Sequence, residues 1–411
     1  MAAPSSERAA ALSLLSAAAV RERAHEILAV GLRDDLDHFV VAPDRLDAAA
    51  DLVAAVTVEK YPTLAVPFHA RWRHFVLAGR DQWADCARGR GFPDPAAKAR
   101  AAFDLAIISV LLDAGAGPTW HYRDASTETV LGRSEGLAAA SLRMFEAGLF
   151  SANPGDPLRA DASRLISLRP ADLATGFQVD ETNPLPGIEA RLDLLKRLGA
   201  TVAANASVFG ACDAPRPGGL FDHLAVADRL TAPAILRAVL LHLGSIWPGR
   251  LKVGGLCLGD AWQHPAVRRS DQTDRLVPFH KLSQWLTYSL VEPLEEAGIF
   301  VDDADGLTGL AEYRNGGLFL DTGVLTLRDP AAVARPHTVD SVLVVEWRAL
   351  TVALLDRLAS LVRTRLCRDA DSFPLARVLE GGSWAAGRRL AAERRPDGGS
   401  PITVISDATV F

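Results

Sequence analysis

A single long amphipathic pattern dominates the second half of the chain. From Ser341 to Arg368, apolar residues recur at helical spacing through the stretch LVVEWRALTVALLDRLASLV. This spacing places the apolar side chains on one stripe of an α-helix, and that stripe must be buried against other elements. A helix of this length therefore predicts a core built from packed helices.

Shorter helical patterns fill most of the remaining chain. Pro67 and Pro278 stand where the first residue of a helix would lie, since proline has no N–H to leave unpaired there. The glycines that close AAKARAAFDLAIISVLLDAGAG are expected to end the helix that starts after Asp94. We predict helices at residues 5–20, 21–33, 45–60, 67–88, 94–114, 133–149, 187–204, 222–229, 232–246, 277–297, 340–368 and 382–394.

Strand patterns are few. GGLFLDTGVLTLRDP predicts a β-hairpin with strands at Leu318–Leu320 and Val324–Leu327 around a glycine-containing turn. The C-terminal PITVISDATVF predicts one more strand, pairing with that hairpin. No fixed-period repeat and no break in composition divides the chain. We predict one large, mainly α domain over residues 1–411 with a small β hairpin or sheet near the C-terminus, and a division into two lobes of about 1–210 and 211–411.

Composition excludes several classes of protein. The 44 Lys and Arg against 50 Asp and Glu give a net charge of −6, which is not the basic footprint of a nucleic-acid binder. Cys86, Cys212, Cys257 and Cys367 form no CxxC pair, so neither a zinc ribbon nor a disulfide framework is indicated. We expect reduced thiols, as in the cytosol.

The sequence also carries no membrane signal. No apolar run reaches the roughly 18 residues that a spanning helix needs. The N-terminal MAAPSSERAAALSLLSAAAVRER lacks the basic segment that precedes the apolar stretch of a signal peptide. We therefore expect a cytoplasmic protein with neither membrane nor nucleic acid as a partner.

The four tyrosines are informative because they are so few. Tyr61, Tyr122, Tyr288 and Tyr313 each lie in a segment rich in Trp, His or Arg. Aromatic walls with a few polar groups are typical of a ligand pocket. The alternative is an aromatic core whose polar atoms are satisfied inside the protein.

The stretch VPFHKLSQWLTYSL, at residues 277–290, sharpens this choice. On a helix, Lys281, Gln284 and Tyr288 form a polar line beside an apolar stripe, and His280 joins their side through Gln284. Such a line can bind a polar planar ligand. A hydrogen-bond network between helices would explain it equally well.

LTGLAEYRNGG places two charges next to a tyrosine. Glu312 and Arg314 flank Tyr313 at a predicted helix-to-strand transition, and two glycines follow. The charges could form a structural ion pair. If Glu312 instead lines a dry pocket, burial raises its pKa and makes it a general acid or base candidate.

Two further stretches combine charged groups with aromatic rings. In CLGDAWQHP, Asp260 and His264 could suggest a metal pair, but no second His-rich motif completes a site. In HARWRH, His69 and Arg73 would share one face of a helix and could hold an anion or form a basic surface patch. We predict no metal and no cofactor.

Taken in order, several motifs resemble an uncharacterised-domain family linked to the fungal and bacterial Urc pathway of uracil catabolism. They are PFHARWRHF, WHYRDASTE, RSEGLAAASLRMFEAGLFS, GGLFDHL, GDAWQHP, VPFHKLSQWLTYSL and LTGLAEYRNGGLFLDTGVL. The resemblance covers about residues 20–410. It implies a pathway in which a cyclohydrolase-like enzyme opens the pyrimidine ring, giving ribosylurea-type intermediates and finally urea.

A more distant likeness concerns the chemistry. FHKLSQ and LTGLAEYR are similar, in order and spacing, to two late segments of queuosine-salvage N-glycosylases, which themselves resemble helical DNA-glycosylase folds. By this likeness Lys281 and Gln284 match directly, as do Tyr313 and Arg314. Glu312 replaces an Asp and is one methylene longer, and His280 replaces a Tyr.

The resemblance implies a hydrolase that cleaves the N-glycosidic bond of a ribosylurea, or of its 5-phosphate, and releases urea. Alternatives are a metal-dependent amidohydrolase using His223, His264 or His280, and a non-catalytic protein that binds intermediates for the ring-opening enzyme. Carboxylates stabilise the transition state in glycoside hydrolysis, so we predict Glu312 and Asp260 as catalytic. The predicted substrate-binding residues are Arg73, Tyr122, Arg123, His280, Lys281, Gln284, Trp285, Tyr288, Tyr313 and Arg314.

Overall fold

The protein is built mainly of α-helices, as its sequence predicts. The computed structural model describes residues 6–113, 115–117, 119–210, 214–247 and 251–405. Along these residues the helices are α1 (Ser6–Leu14), α2 (Ala17–Gly31), α3 (Leu46–Lys60), α4 (Gln82–Arg90), α5 (Pro95–Leu112), α6 (Arg133–Glu146), α7 (Ala162–Ser167), α8 (Pro170–Gly176), α9 (Ile188–Ala204), α10 (Ala206–Phe209), α11 (Leu220–Leu224), α12 (Ala232–Leu243), α13 (Lys281–Glu296), α14 (Tyr313–Asp321), α15 (Val342–Leu366), α16 (Leu375–Val378) and α17 (Trp384–Arg394).

The β-structure of the described residues consists of two-stranded pairs, too short to form a core by themselves. The antiparallel pairs are β1 (Phe39–Val41) with β12 (Leu325–Leu327), β2 (Val76–Leu77) with β3 (Arg80–Asp81), β4 (His121–Asp124) with β5 (Thr129–Gly132), β7 (Lys252–Val253) with β8 (Leu256–Cys257), and β9 (Ala261–Gln263) with β10 (Leu276–Pro278). The parallel pairs are β6 (Arg229–Thr231) with β11 (Phe300–Asp302), and β13 (His337–Thr338) with β14 (Val404–Ile405).

Two long helices carry the core. In α15, the Ser341 hydroxyl caps the first turn by accepting the Val344 N–H, and Cys367 ends the helix in the left-handed region at φ 52°. In α5, Asp94 caps the first turn and Pro95 follows it. Helices α2 and α3 pack on α15, while α13 and α6 pack on α5. Elements from both halves of the chain thus contact each other, and the division into lobes near residue 210 stays a prediction.

Residues 67–88 do not form the predicted helix. A 3₁₀ turn at Arg71–Phe75 leads into the β2–β3 hairpin, and only then does α4 begin. The first part of the segment is bonded to α13 instead: the Arg71 N–H donates to Ser289 Oγ, and Trp72 Nε1 donates to the Ser289 carbonyl oxygen. His69 and Arg73 therefore do not share a helical face.

The helix predicted at 277–297 begins four residues later. Pro278 is not its first residue but lies in β10, opposite Ala261 of β9. His280 then takes a left-handed backbone at φ 50°, and α13 begins at Lys281. The turn between β10 and α13 is stabilised by the Asp260 carbonyl oxygen, which accepts hydrogen bonds from the N–H groups of both Phe279 and His280.

The predicted C-terminal hairpin is wrong in its first strand. Leu318–Leu320 belong to α14, whose start is capped by the side chain of Glu312. Gly316 lets this helix lie close to α15, since a Cβ there would be 2.7 Å from the Trp347 ring. The second strand, β12, exists but pairs with β1, and β14 pairs with β13 rather than with a hairpin. The rest of the predicted last strand, 406–411, lies outside the described residues.

Other elements differ from the prediction mainly at their ends. The pattern over 5–20 is interrupted at Ser16, whose hydroxyl caps α2 by accepting the Ala19 N–H. The helix predicted at 222–229 lies earlier, at α11, and is followed by β6. No helix in the described part of the chain combines the length and the apolar character needed to cross a membrane.

The contact between α14 and α17 is testable with one glycine. A Cβ at Gly387 would overlap the Arg314 carbonyl oxygen, so Gly387→Ala is expected to force the helices apart and to cost about 1–3 kcal/mol. Gly89 lies in α4 with open space around it, and Gly89→Ala should be neutral or stabilise the protein by up to about 1 kcal/mol. Urea unfolding of both variants measures the difference. Equal stabilities would contradict the close packing of α14 and α17.

Candidate functional site

The strongest polar anchor near the start of α13 is a buried ion pair. Both carboxylate oxygens of Asp260 accept from the Arg348 guanidinium, at 2.8 Å each. The same carboxylate accepts the Lys281 N–H at 3.0 Å and the Trp262 indole N–H at 2.7 Å. Arg348 Nε also donates to the Ala311 carbonyl oxygen. The pair thereby ties the first turn of α13 to the segment that leads into α14.

Its electrostatics indicate a structural carboxylate. Burial by itself raises the pKa of Asp260, but Arg348 and the donors from Lys281 and Trp262 outweigh it and hold the pKa at about 2. Every oxygen of Asp260 is engaged within the protein. Its predicted catalytic role has no support in this geometry.

Gln284 and Tyr288 bind a loop of the protein itself. Gln284 Nε2 donates to Thr308 Oγ1 at 2.6 Å, and its Oε1 accepts the Thr308 N–H at 2.8 Å. The Tyr288 hydroxyl donates to the Thr308 carbonyl oxygen. Both side chains are buried and satisfied. The alternative of a hydrogen-bond network between elements therefore describes these two residues.

Glu312 is the side-chain cap of α14. Its Oε2 accepts the Arg314 N–H at 2.7 Å and its Oε1 the Asn315 N–H at 2.6 Å. A carboxylate has about four acceptor positions, so two remain for a ligand. Burial raises the pKa of Glu312, against the opposing effects of these two amides and of the Lys281 and Arg314 charges.

Lys281, in the first turn of α13, carries an ammonium group with no hydrogen bond or ion pair to any described residue. Burial lowers its pKa, and Glu312 is the strongest of the charges that oppose the shift, followed by Asp113 and Asp260. The pKa values of Lys281 and Glu312 are thus displaced towards each other. Burial is the largest cause of both shifts, and perturbed ionisable groups within one site are candidates for a functional role.

Three buried polar atoms beside this pair lack partners among the described residues. They are Arg71 Nη2, Asp113 Oδ1 and Trp285 Nε1. The Arg71 guanidinium lies 3.3 Å from Asp113 Oδ2 and 5.4 Å from the centre of the Trp285 ring. Trp285 shares a helix face with Lys281, one turn away. Buried polar groups in folded proteins are nearly always satisfied by protein groups, ordered water or a ligand. These three atoms therefore make the region a candidate ligand site.

His74 completes this group, which we call the central cluster: Arg71, His74, Asp113, Lys281, Trp285, Glu312 and Tyr313. Arg71 Nη1 lies 3.1 Å from His74 Nδ1 and can only donate, so the neutral imidazole carries its proton on Nε2. The His74 ring meets the Trp285 ring edge-on at 5.8 Å. Burial, reinforced by the Arg71 charge, lowers the pKa of His74 to about 4.

Glu135, which is not a member of the central cluster, lines a surface cleft of about 320 Å³. Its charge acts on His74 and Arg71, so Glu135 connects the cleft electrostatically to the cluster. Across the cleft Glu135 pairs with Arg388 at 2.6 Å. The remaining lining residues are Trp120, His121, Val130, Leu131, Gly132 and Arg133.

The structure thus brings together four of the predicted site residues: Lys281, Trp285, Glu312 and Tyr313. The Tyr313 hydroxyl has no hydrogen bond to the described residues, and its ring lies 4.7 Å from the Arg314 guanidinium. Arg314 itself donates to the Gly398 carbonyl oxygen, which leaves its Nε unpartnered. Burial raises the pKa of Tyr313.

The other predicted residues lie apart from the cluster or are engaged elsewhere. His280 Nε2 bonds the Leu14 carbonyl oxygen. Arg73 pairs with Glu292, about 16 Å along α13 from Lys281. Tyr122 and Arg123 belong to β4, where Tyr122 is influenced by the Asp124 charge and Arg123 is exposed.

Sequence reasoning did not predict Arg71, His74, Asp113 or Glu135 as site residues. Arg71 and His74 lie in the HARWRH stretch, for which an anion-binding group and a basic surface patch both stayed open. One signal was available for Asp113. It follows the last residue of α5, where the negative end of the helix dipole disfavours a carboxylate. The contacts of Arg71 and His74 depend on the 3₁₀ turn at Arg71–Phe75, where the sequence pattern predicts an α-helix instead.

The histidines considered for a metal site have partners within the protein. His264 Nε2 lies 3.3 Å from Glu346, and the His223 ring meets the His242 ring at 4.7 Å. Within the described ranges no group of three or more His, Cys, Asp or Glu residues is arranged to hold a metal ion. No observation in the site favours the metal-dependent alternative.

The Asp260–Arg348 pair should be essential for folding. Asp260→Asn leaves the buried Arg348 charge uncompensated, and we expect a loss of about 3–5 kcal/mol of unfolding free energy. The control Asp302→Asn removes a carboxylate from the exposed pair with Arg229 and should cost less than about 1 kcal/mol. Urea unfolding monitored by circular dichroism compares them. A cost below 1 kcal/mol for Asp260→Asn would contradict the anchoring role.

Burial of His74 should make stability depend on pH. Between pH 6.5 and about 4 the unfolded chain binds a proton at His74 that the folded protein excludes, so stability falls as the pH falls through this window. The contribution is about 3 kcal/mol. His74→Gln should flatten the stability profile over this range, whereas the control His121→Gln, which changes an exposed residue of β4, should not. Identical profiles for wild type and His74→Gln would show that His74 does not titrate in this way.

Comparison with known proteins assigns the chain to a family. Protein urg3 from Schizosaccharomyces pombe (strain 972 / ATCC 24843) is 39% identical over 411 residues, covering 97% of this chain and 98% of that protein. Uracil catabolism protein 4 from Lachancea kluyveri is 38% identical over 415 residues, covering 91% and 92%. Residues 13–411 match the family described as "Protein of unknown function (DUF1688)". The chain belongs to this family, which confirms the membership that its motifs predict.

Proposed function

We propose that this protein acts in uracil catabolism as a hydrolase that cleaves the N-glycosidic bond of a ribosylurea-type intermediate and releases urea. The names of its relatives support the pathway, since one is called a uracil catabolism protein. The observation that carries the proposal is the central cluster. There an unpartnered ammonium and a buried carboxylate lie beside three orphaned polar atoms.

The chemistry requires a negative group near the anomeric carbon and a proton for the leaving nitrogen. In the proposed reaction the C1′–N bond breaks and a water oxygen bonds to C1′. Glu312 stabilises the oxocarbenium-like charge and accepts the proton of this water, a role suited to a carboxyl group whose pKa is raised. Lys281 supplies the proton that urea takes as it leaves, and solvent exchange restores both groups.

The cap geometry prepares Glu312 for this role. The two amides that it accepts are fixed in the first turn of α14, so the carboxylate does not reorganise during the reaction. Asp260 and Arg348 position Lys281, the proposed proton donor, by holding the first turn of α13. We treat these two as positioning residues.

A non-catalytic protein that binds intermediates for a ring-opening enzyme remains the second candidate. The orphaned atoms of Arg71, Asp113 and Trp285 favour a ligand and would serve either function. Urea release distinguishes the two candidates, because only a catalyst converts the substrate.

Urea release tests the proposal directly. Purified protein is incubated with ribosylurea and with its 5-phosphate, and urea and free sugar are measured. We expect stoichiometric release of both products from one of the two substrates. Glu312→Gln and Lys281→Met should each reduce the rate at least about a hundredfold, the usual contribution of a general acid or base.

Matched controls come from an exposed ion pair. Lys98 and Glu296 bond at 2.7 Å on the surface, so Lys98→Met and Glu296→Gln make the same chemical changes away from the cluster. Both should retain full activity. Glu312→Asp keeps a charged cap on α14 and separates loss of catalysis from loss of folding. No urea from either substrate, with all proteins folded, would refute the glycosidase proposal.

A further inference from the structure

We propose that Arg71, Asp113 and Trp285 form a subsite that recognises a neutral carboxamide edge, and specifically the H₂N–C=O end of a ureido group. The inference rests on the proposed function for the identity of the substrate. Its physical basis is the set of three orphaned atoms alone. None of the three residues is assigned to the chemical step above.

Each side chain is fixed so that one polar atom remains free. Arg71 Nε donates to Ser109 Oγ at 2.7 Å, and its Nη1 faces His74 and Asp113. Only Nη2 is left. Asp113 Oδ2 accepts from the Ser134 hydroxyl at 3.2 Å and faces Arg71, so only Oδ1 is left. The subsite therefore offers fixed atoms rather than mobile surface charges.

The free atoms are two donors and one acceptor. A carbonyl oxygen has two lone pairs and can accept from both Arg71 Nη2 and Trp285 Nε1. The NH₂ group bonded to the same carbon can donate to Asp113 Oδ1. A terminal ureido group carries both functions on adjacent atoms, so a single ligand group would satisfy all three protein atoms.

Charge argues against ionic ligands in this position. The buried Arg71 and Asp113 face each other, so the pair is close to neutral as a unit. An anion bound to Arg71 Nη2 would lie against the Asp113 carboxylate, and a cation bound to Asp113 Oδ1 would lie against the guanidinium. An uncharged amide avoids both repulsions, and its hydrogen bonds to charged groups are stronger than neutral ones.

A trapped water is the competing occupant. One water could bond Arg71 Nη2 and Asp113 Oδ1, since buried waters usually make two to four hydrogen bonds. The Trp285 indole N–H, as a third orphan, is better matched by a larger planar group. A subsite filled only by water would show no preference between amide and acid ligands.

The test uses two isosteric ligands that lack the N-glycosidic bond and so cannot be cleaved by the proposed reaction. Both are C-glycosides of ribose: one carries –CH₂–C(=O)–NH₂ in place of the ureido group, and the other the corresponding carboxylate. Wild-type protein should bind the amide at least about tenfold more tightly than the carboxylate, as measured by isothermal titration calorimetry. Equal binding, a preference for the carboxylate, or no binding of either ligand would overturn the proposal.

A charge change at Asp113 should alter this preference. Asp113→Asn removes the repulsion, so the tenfold preference for the amide should fall to about threefold or less. The matched control is Asp124→Asn, which changes a buried carboxylate paired with Arg143 elsewhere and should leave the ratio intact. A ratio that Asp113→Asn leaves unchanged would contradict the assignment of Asp113. If that variant does not fold, the wild-type comparison still decides.

The outcome is separable from that of the proposed function. Binding does not depend on glycosidase turnover, because neither ligand has a glycosidic C1′–N bond. A protein that prefers the amide but releases no urea from ribosylurea retains the subsite and loses the glycosidase proposal. A protein that releases urea without preferring the amide loses the subsite and retains the glycosidase.

Discussion

The buried pair of Asp260 and Arg348 is the interaction on which the arrangement of the site depends. Removing two charges from water is costly, and the cost is offset only when their hydrogen-bonding capacity is filled. Here the carboxylate accepts four donors, and the guanidinium also reaches the backbone before α14. Two elements that begin far apart in sequence, α13 and α14, are thereby fixed to α15, and their first turns bring Lys281 and Glu312 into one cluster.

Two charges of the cluster are placed against the local helix dipoles. Lys281 stands in the first turn of α13, where the field disfavours a cation, and Asp113 follows the end of α5, where it disfavours an anion. Each such placement costs about 0.3–1 kcal/mol even at an exposed position. Asp113 recovers this cost through Oδ2, which faces Arg71 and accepts from Ser134, but the Lys281 ammonium makes no hydrogen bond to the described residues. Stability alone does not explain Lys281, whereas a bound ligand would.

Periodicity predicts most of the helices, because the apolar stripes of helices such as α5 and α15 follow directly from residue order. Periodicity could not show that Lys281 lacks a partner within the protein while Gln284 and Tyr288, on the same polar line, have one. Thr308, about twenty residues away, forms hydrogen bonds with Gln284 and Tyr288 but not with Lys281. The hairpin prediction failed for a similar reason. LFLD is apolar enough for a strand, but the Glu312 cap and the contact of α14 with the distant Trp347 stabilise a helix there. Arg71 escaped notice because its partners come from α5 and α13.

Glu312 has a longer side chain than the residues that usually cap helices. Short side chains, such as those of Asp, Ser, Thr and Asn, are the preferred caps because their oxygens reach the first N–H groups without a long, flexible chain. If capping α14 were the whole role of this residue, the extra methylene would be a disadvantage. It would be useful if the carboxylate had to reach beyond the helix end towards a ligand while retaining its two amides. The Lys281 charge is the strongest side-chain influence on the pKa of Glu312, so the two groups are within electrostatic reach of each other. The cap and the neighbouring charge are thus consistent with the chemical role that we propose for Glu312.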